Sequence, residues 1–355
     1  MNFPDFCLPP DRTIRDAIAT INRNRKGIAL LTDAEHHLLG TVTDGDIRRA
    51  MLESISLDAP VGALLARKVE RYVHPVTAPA DASDATLLHL MHEHVVLQIP
   101  LLDPEGRIVD LATMEDLLGE EPLPMQAVIM AGGFGKRLRP LTEDLPKPML
   151  PIGDRPLMER TIEQLRNAGI RRVNVTTHYL PEKISDHFGD GAAFGVELNY
   201  VSEETPLGTA GALGLLAAPN EPLLVINGDV LTRVNFRAML AYHREHRAEL
   251  TIGVREFIMQ VPYGVVDAEG GNVTAVREKP DVHFLVNAGI YLLEPSVYQF
   301  IEPGARADMP DLIHRLLDAK RVVSSFPIHE YWLDIGKHDD YLRAQADASE
   351  GTFDL

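Results

Sequence analysis

Three glycines, an arginine and a lysine fall within sixteen residues of this chain. The segment reads Ala131-Gly132-Gly133-Phe134-Gly135-Lys136-Arg137, and Lys147 follows ten positions after the arginine, between Pro146 and Pro148. These residue types suit phosphate. Glycines let backbone N–H groups reach phosphate oxygens with no Cβ in the way. Arg137 and Lys147 can neutralise a triphosphate and the charge that develops as it reacts. The prolines restrict φ, and so restrict where the lysine stem starts. The segment fits neither G-x-G-x-x-G nor the P-loop pattern, so a nicotinamide or P-loop site is disfavoured.

Two aspartates add a second kind of chemistry. Asn227-Gly228-Asp229 closes the apolar run Leu223 to Ile226, and Trp332-Leu333-Asp334-Ile335-Gly336 sets another acid in an apolar stretch. Mg²⁺ prefers hard oxygen ligands and shares them with phosphates, so acids at strand ends are natural ligands. A buried aspartate needs a partner, and a metal is one. Taken singly, each acid reads first as a turn or capping residue. His89, His92 and His94 have helix-surface spacing and His36-His37 falls in a turn, so no metal is expected there. Tyr179 and Trp332 read as packing residues.

These side chains need elements to position them. Short apolar runs (Ala127 to Met130, Val173 to Thr176, Leu223 to Ile226, Leu250 to Val254) alternate with helical patterns. One such helix puts Met158, Ile162 and Leu165 on one face and ends at Gly169. Strands separated by helices predict an open α/β sheet, with ligands beyond the carboxyl ends of its strands. The glycine loop after Met130 lies at such an end.

The first ~120 residues are organised differently, as an internal repeat. Asp33, Glu35, Leu38, Leu39, Thr43 and Asp46 recur as Asp103, Glu105, Ile108, Val109, Thr113 and Asp116, each displaced by 70 positions. Both copies predict a helix (Asp16 to Arg23; Asp84 to His94), a strand (Ile28 to Leu31; Gln98 to Leu102) and a second strand (Leu38 to Val42; Ile108 to Leu111). A Thr-x-x-Asp then enters another helix, where it can cap. Residues 119–124, with two acids and two prolines, read as a linker, and a second domain starts at about Met125.

The chain has 355 residues, a net charge of −18 and one cysteine, Cys7. So acidic a chain repels nucleic-acid backbones, and no intrachain disulfide can form. No apolar run approaches the ~20 residues of a membrane helix. Met1 to Pro10 lacks a leader pattern, so a cytoplasmic protein that binds neither nucleic acid nor membrane is expected.

Residues 6 to 120 resemble a pair of cystathionine-β-synthase (CBS) motifs, about 6–60 and 61–120. The resemblance implies an α+β module for regulation or oligomerisation. Thr43 with Asp46, and Thr113 with Asp116, would then hold the phosphate and ribose of an adenine nucleotide, or else only cap their helices. Paired modules of this kind also imply a homo-oligomer, a dimer or larger.

Within the second domain, 125–355, residues of about 126 to 343 resemble the sugar-1-phosphate nucleotidyltransferases. The motifs are Ala-Gly-Gly-x-Gly-x-Arg-Leu-x-Pro-Leu-Thr from Ala131, Pro-Lys-Pro-Met-Leu-Pro from Pro146, Pro-Leu-Gly-Thr-Ala-Gly over 206–211, and Asn-Gly-Asp. Glu278-Lys279-Pro280, Asn287-Ala288-Gly289-Ile290-Tyr291 and Trp-Leu-Asp-Ile-Gly follow in order. The resemblance implies a GT-A-like, Rossmann-like α/β domain with a mixed, mainly parallel sheet. It implies transfer of a nucleotidyl group from an NTP to a sugar 1-phosphate, with Mg²⁺. Ala131, Gly132, Gly133 and Gly208 would line the base and ribose, and Arg137 and Lys147 would act on the triphosphate. Asp229 and Asp334 would bind the metal, with Asp229 also at the nucleotide. Glu278, Asn287 and Gly264 would take the sugar, with Gly211, and Lys279 its phosphate.

The loop from Glu204 to Gly211 resembles the mannose-1-phosphate guanylyltransferase branch, which implies GTP. A CBS pair ahead of such a domain also resembles guanylyltransferases of the nonulosonic acid routes, which implies glucosamine 1-phosphate. Uridylyl, thymidylyl or cytidylyl transfer, a non-sugar phosphate acceptor and a non-catalytic nucleotide sensor remain alternatives.

Overall fold

The computed structural model describes residues 5–68, 74–118 and 122–352. Of the linker read from the sequence, residues 119–121 lie outside them. The chain forms two compact units, Met1–Leu123 and Pro124–Leu355.

The N-terminal unit repeats itself down to its irregularities. Strand Ile28–Thr32 pairs antiparallel with Leu38–Thr43, and Gln98–Leu102 pairs antiparallel with Ile108–Thr113. Each pairing slips at the same place, between Leu31 and Thr32 and between Leu101 and Leu102. A short parallel strand, Cys7–Leu8 or Ala78–Pro79, completes each three-stranded sheet. Helix Ile14–Asn24 starts at a Thr13/Asp16 capping box and buries Ile14, Ala17, Ile18 and Ile21 on one stripe. Its counterpart is Asp84–His94, capped by Ser83. The two copies share a core of Phe6, Ile28, Leu30, Ile108 and Leu111.

The C-terminal unit is built on a seven-stranded sheet. Its order is Glu197–Ser202, Arg172–Thr177, Gln126–Met130, Leu223–Asn227, Asp281–Leu293, Leu250–Gln260 and Val323–Pro327. Only Asp281–Leu293 runs antiparallel to its neighbours, so the sheet is mixed and mainly parallel. Gln126–Met130 lies inside it with Ala127, Val128 and Ile129 fully buried, as a strand covered on both faces must. Helix Leu157–Asn167 buries Met158, Ile162 and Leu165, the face anticipated from spacing. The antiparallel strand and the run of Leu250–Gln260 beyond Val254 were not legible, because alternation there gives way to exposed apolar residues. Among the described residues no helix is long and apolar enough to cross a membrane.

Candidate active site

Three parallel strands end together around the glycine loop. Ala131 N–H donates to Thr176 O, and Gly228 N–H donates to Met130 O, each at 2.9 Å. Gly228 permits this approach, since a Cβ there would sit 2.5 Å from Met130 O. Gly135 adopts φ +60°, and Thr142 Oγ1 donates to its carbonyl at 2.8 Å, closing the loop on itself. A Cβ on Gly133 would meet nothing within 4 Å, so this loop backbone is open to a ligand.

An open cavity of about 270 Å³ lies beyond these strand ends. Ala131, Gly132, Gly133, Gly208, Lys147 and Asp229, all anticipated from the sequence, line it. Lys147 begins a one-turn 3₁₀ segment after Pro146 and is buried. Its Nζ donates to Asp229 Oδ2 at 2.6 Å. The second acid arrives by a short antiparallel ribbon in which Val230 pairs with Asp334 and Thr232 with Trp332. Ile335 N–H donates to Asp229 O at 3.0 Å and fixes the register.

Asp334 is exposed, which corrects the expectation of a buried acid. Solvent reaches it, yet partial desolvation and then the Asp229 carboxylate push its pKa above the usual range, against the pull of Lys147 and Arg137. Arg137 Nη1 and Asp334 Oδ1 both lie within 4 Å of where a Cβ on Gly336 would stand. Arg137 and Asp334 lie outside the cavity lining, and the charges of Lys147, Arg137 and Asp229 all act on the Asp334 carboxyl. Two neighbouring carboxylates offer hard oxygens, a donor set that fits a divalent cation.

The other wall holds residues that sequence reasoning passed over. Glu203 is buried, lines the cavity, and accepts the Leu207 N–H at 2.9 Å through Oε2. Its Oε1 would lie 2.7 Å from a Cβ on Gly132, so that glycine makes room for the acid. The usable signal was an acid five positions before Gly208, hidden in a polar loop. Gly208 takes φ +78° and packs against Ala307 O and Asp308 Oδ1, which also accepts Thr209 N–H at 3.1 Å. Gly211 does not line this cavity; its missing Cβ admits Ala305 O.

The four expected sugar residues also lie outside the cavity lining. Gly264, Glu278 and Lys279 are exposed, with Glu278 Oε2 beside Gly264 and Lys279 at φ +43°. Asn287 bonds within its own segment, donating to Tyr291 Oη at 2.7 Å and accepting Gly289 N–H at 2.9 Å. Trp332 Nε1 donates to Ala288 O at 2.8 Å, which ties this segment to the strand bearing Asp334 and makes Trp332 structural.

In the N-terminal unit, both Thr-x-x-Asp pairs cap their helices. Thr43 Oγ1 donates to Asp46 Oδ2 at 3.0 Å, and Thr113 Oγ1 to Asp116 Oδ2 at 2.6 Å. Asp46 also takes Arg49 and Lys68, and Asp116 takes Lys26 at 2.8 Å.

Both units of the chain match known protein families. The nucleotidyl transferase family model matches residues 126–351, and the CBS domain model matches residues 1–53 and 67–122. The chain is 36% identical over 229 residues to a mannose-1-phosphate guanyltransferase of Schizosaccharomyces pombe, covering 61% of this chain and 62% of that protein. It is 34% identical over 234 residues to a mannose-1-phosphate guanylyltransferase of Mycobacterium tuberculosis, covering 64% and 65%. The chain thus spans somewhat under two thirds of the length of these relatives. A crystal structure from Bacillus anthracis, assigned as a glucose-1-phosphate thymidylyltransferase with sucrose bound, superposes with a TM-score of 0.51 at 25% identity. The match covers 65% of this chain and 96% of that one.

Proposed function

From the premise that this chain belongs to the nucleotidyl transferase family, we propose that it transfers a nucleotidyl group from an NTP to a sugar 1-phosphate and releases pyrophosphate. One observation carries the reading. Lys147 and Asp229 line the cavity beside the glycine loop at the carboxyl ends of parallel strands, and the antiparallel ribbon brings Asp334 next to Asp229.

A phosphate oxygen of the sugar phosphate attacks the α-phosphorus in line, and the bond to the β-phosphate oxygen breaks. That oxygen is already anionic, so no general base is required. The task is to bring two anions together and hold them. Lys147 and Arg137 supply positive charge at the triphosphate, and the backbone of Gly132 and Gly133 lets it approach. Asp229 and Asp334 would hold a divalent cation, Mg²⁺ by their hard-oxygen character. When bound, such an ion screens triphosphate charge. Glu278, Asn287 and Gly264 take sugar hydroxyls, and Lys279 takes the sugar phosphate.

GTP is the proposed donor. The Glu203 carboxylate on the cavity wall has free lone pairs for guanine N1–H and its 2-amino group, adjacent donors that uracil, thymine, cytosine and adenine do not present together. The names of the relatives support mannose 1-phosphate as acceptor. Glucosamine 1-phosphate stands beside it. The deciding experiment measures pyrophosphate release across four NTPs and a panel of sugar 1-phosphates with Mg²⁺. Turnover greatest with UTP, dTTP or CTP overturns the donor, and no turnover with any pair overturns the reaction.

Residues 1–120 are proposed as a regulatory or oligomerisation module. A nucleotide at Asp46 or Asp116 would have to displace the ion pairs described above. Calorimetric titration of AMP, ATP and guanine nucleotides, against an Asp46→Ala/Asp116→Ala variant, tests this. No binding outside the catalytic site in any of these titrations removes the regulatory reading and leaves a structural or oligomerisation module.

A further inference from the structure

Lys136 follows the glycines directly, and the phosphate chemistry described above does not use it. The motif from Ala131 leaves positions 134 and 136 open, so Phe134 and Lys136 are this chain's own choices. Lys136, Arg137 and Arg139 are all exposed. Among the described residues none of the three forms an ion pair, although acids outnumber bases 52 to 34 in this chain. Lys136 is also held in place. Its Nζ stands 5.3 Å from the centroid of the Phe134 ring, within cation–π range. Phe134 lines the cavity and is still 38% exposed. Two rings fix it there, His178 edge-on at 5.3 Å and Tyr179 tilted at 5.6 Å. Both are tied to backbone in turn. His178 Nδ1 donates to Glu203 O at 2.7 Å, and Tyr179 Oη donates to Glu143 O at 2.6 Å. An exposed lysine ordinarily keeps its rotamer freedom. This one rests on an anchored ring beside the cavity.

Granting the reaction proposed above, we infer that Lys136 is a further phosphate-binding residue, which holds the pyrophosphate end of the NTP and the pyrophosphate that leaves. Position along the loop divides the work. Gly132 abuts Glu203, on the wall read as facing the base. Lys136 comes four residues later, past the turn at Gly135. A triphosphate laid along the loop from Gly132 brings its far phosphates to Lys136 and leaves its base behind. Lys147 is already paired with Asp229 at 2.6 Å, so its charge is shared with an acid, whereas that of Lys136 is not. An ammonium is a point charge with three donors, which suits the oxygens of a pyrophosphate as it turns to leave.

Two measurements on the full chain with Mg²⁺ test this. The first, calorimetric titration of pyrophosphate, needs no turnover. Lys136→Met keeps the stem and removes the charge, and is expected to weaken pyrophosphate binding about 10-fold. Lys136→Arg should restore most of it, and Phe134→Leu, which removes the ring, should cost about 3-fold. Lys183→Met makes the same charge change on the exposed side of helix Pro181–Phe188 and should cost less than about 2-fold. The second measurement is the reverse reaction. There Lys136→Met should raise KM for pyrophosphate about 10-fold and leave KM for the NDP-sugar within about 2-fold. Unchanged pyrophosphate affinity in Lys136→Met overturns the inference. So does a wild type that binds no pyrophosphate, an equal loss in Lys183→Met, or an equal rise in KM for the NDP-sugar. A wild type that binds pyrophosphate through Lys136 but turns over no sugar phosphate overturns the reaction alone.

Discussion

Lys68 and Asp46 in the N-terminal unit and Lys147 and Asp229 in the C-terminal unit form ion pairs of similar length, 3.0 and 2.6 Å. In both pairs the lysine is almost fully buried. Their surroundings differ. Asp46 also bonds Thr43 and Arg49, so its oxygens are committed to a helix cap and its neighbours. Burial pushes its pKa up, but the Lys68 charge, the Thr43 N–H and the Arg49 and Lys68 bonds outweigh it and hold the carboxyl below the usual range. Asp229 instead lines a cavity, with a second acid nearby that its own charge pushes the other way. The pair geometry alone does not separate a structural lysine from a chemical one. The separation comes from a second acid beside the pair and an open backbone.

That contrast is sharpest in turnover. Asp229→Ala and Asp334→Ala are each expected to lower kcat by at least about 10³-fold while the protein stays folded. Near-normal rates in limiting Mg²⁺ would erase the distinction between the two pairs. Asp334→Asn should also raise Tm, since it removes one of two repelling carboxylates.

Lys147→Ala is expected to cost about 10²–10³-fold, mainly in kcat, because its charge is used in the transition state. Lys279→Ala should instead raise KM for the sugar phosphate. The reverse split in steady-state kinetics would exchange their roles.

Asp46→Ala should behave oppositely. Leaving Lys68 buried and unpaired costs about 3 kcal/mol of stability, read by urea unfolding of the N-terminal unit, with kcat unchanged. The native pKa of Asp46 is depressed, so its contribution is fully present above the unfolded value of 3.8 and is lost as pH falls through the native one. Asp46→Asn should flatten that acid limb of the stability curve. Thr43→Ala, which removes only the cap hydroxyl, should cost about 1 kcal/mol.

Legibility followed the range of the forces involved. The 70-residue repeat disclosed its strands because each copy is local, a short apolar run pairing with the next across a polar turn. The glycine loop and Lys147 were legible because a buried run, backbone freedom and a proline-fixed cation are neighbours in sequence. Glu203 was not, because its burial comes from Gly132, 71 positions away. The exposure of Asp334 was missed because Leu333 and Ile335 on either side of it are buried and disguise it. The far pairing of Leu250–Gln260 with Asp281–Leu293 was missed because Phe257, Met259 and Phe284 are apolar without a core to face.

The bond from Ile335 N–H to Asp229 O also has a consequence for synthesis on the ribosome. Asp334 is made 105 residues after Asp229. The N-terminal unit can fold while the rest is still being translated, whereas the acid pair is a late, long-separation contact that waits for almost the whole polypeptide. A nascent chain stopped anywhere between residues 229 and 334 carries the glycine loop, Lys147 and one carboxylate, and lacks the second. Premature termination or a C-terminal nick in that interval therefore yields a chain with the loop and lysine for nucleotide but without the full acid pair.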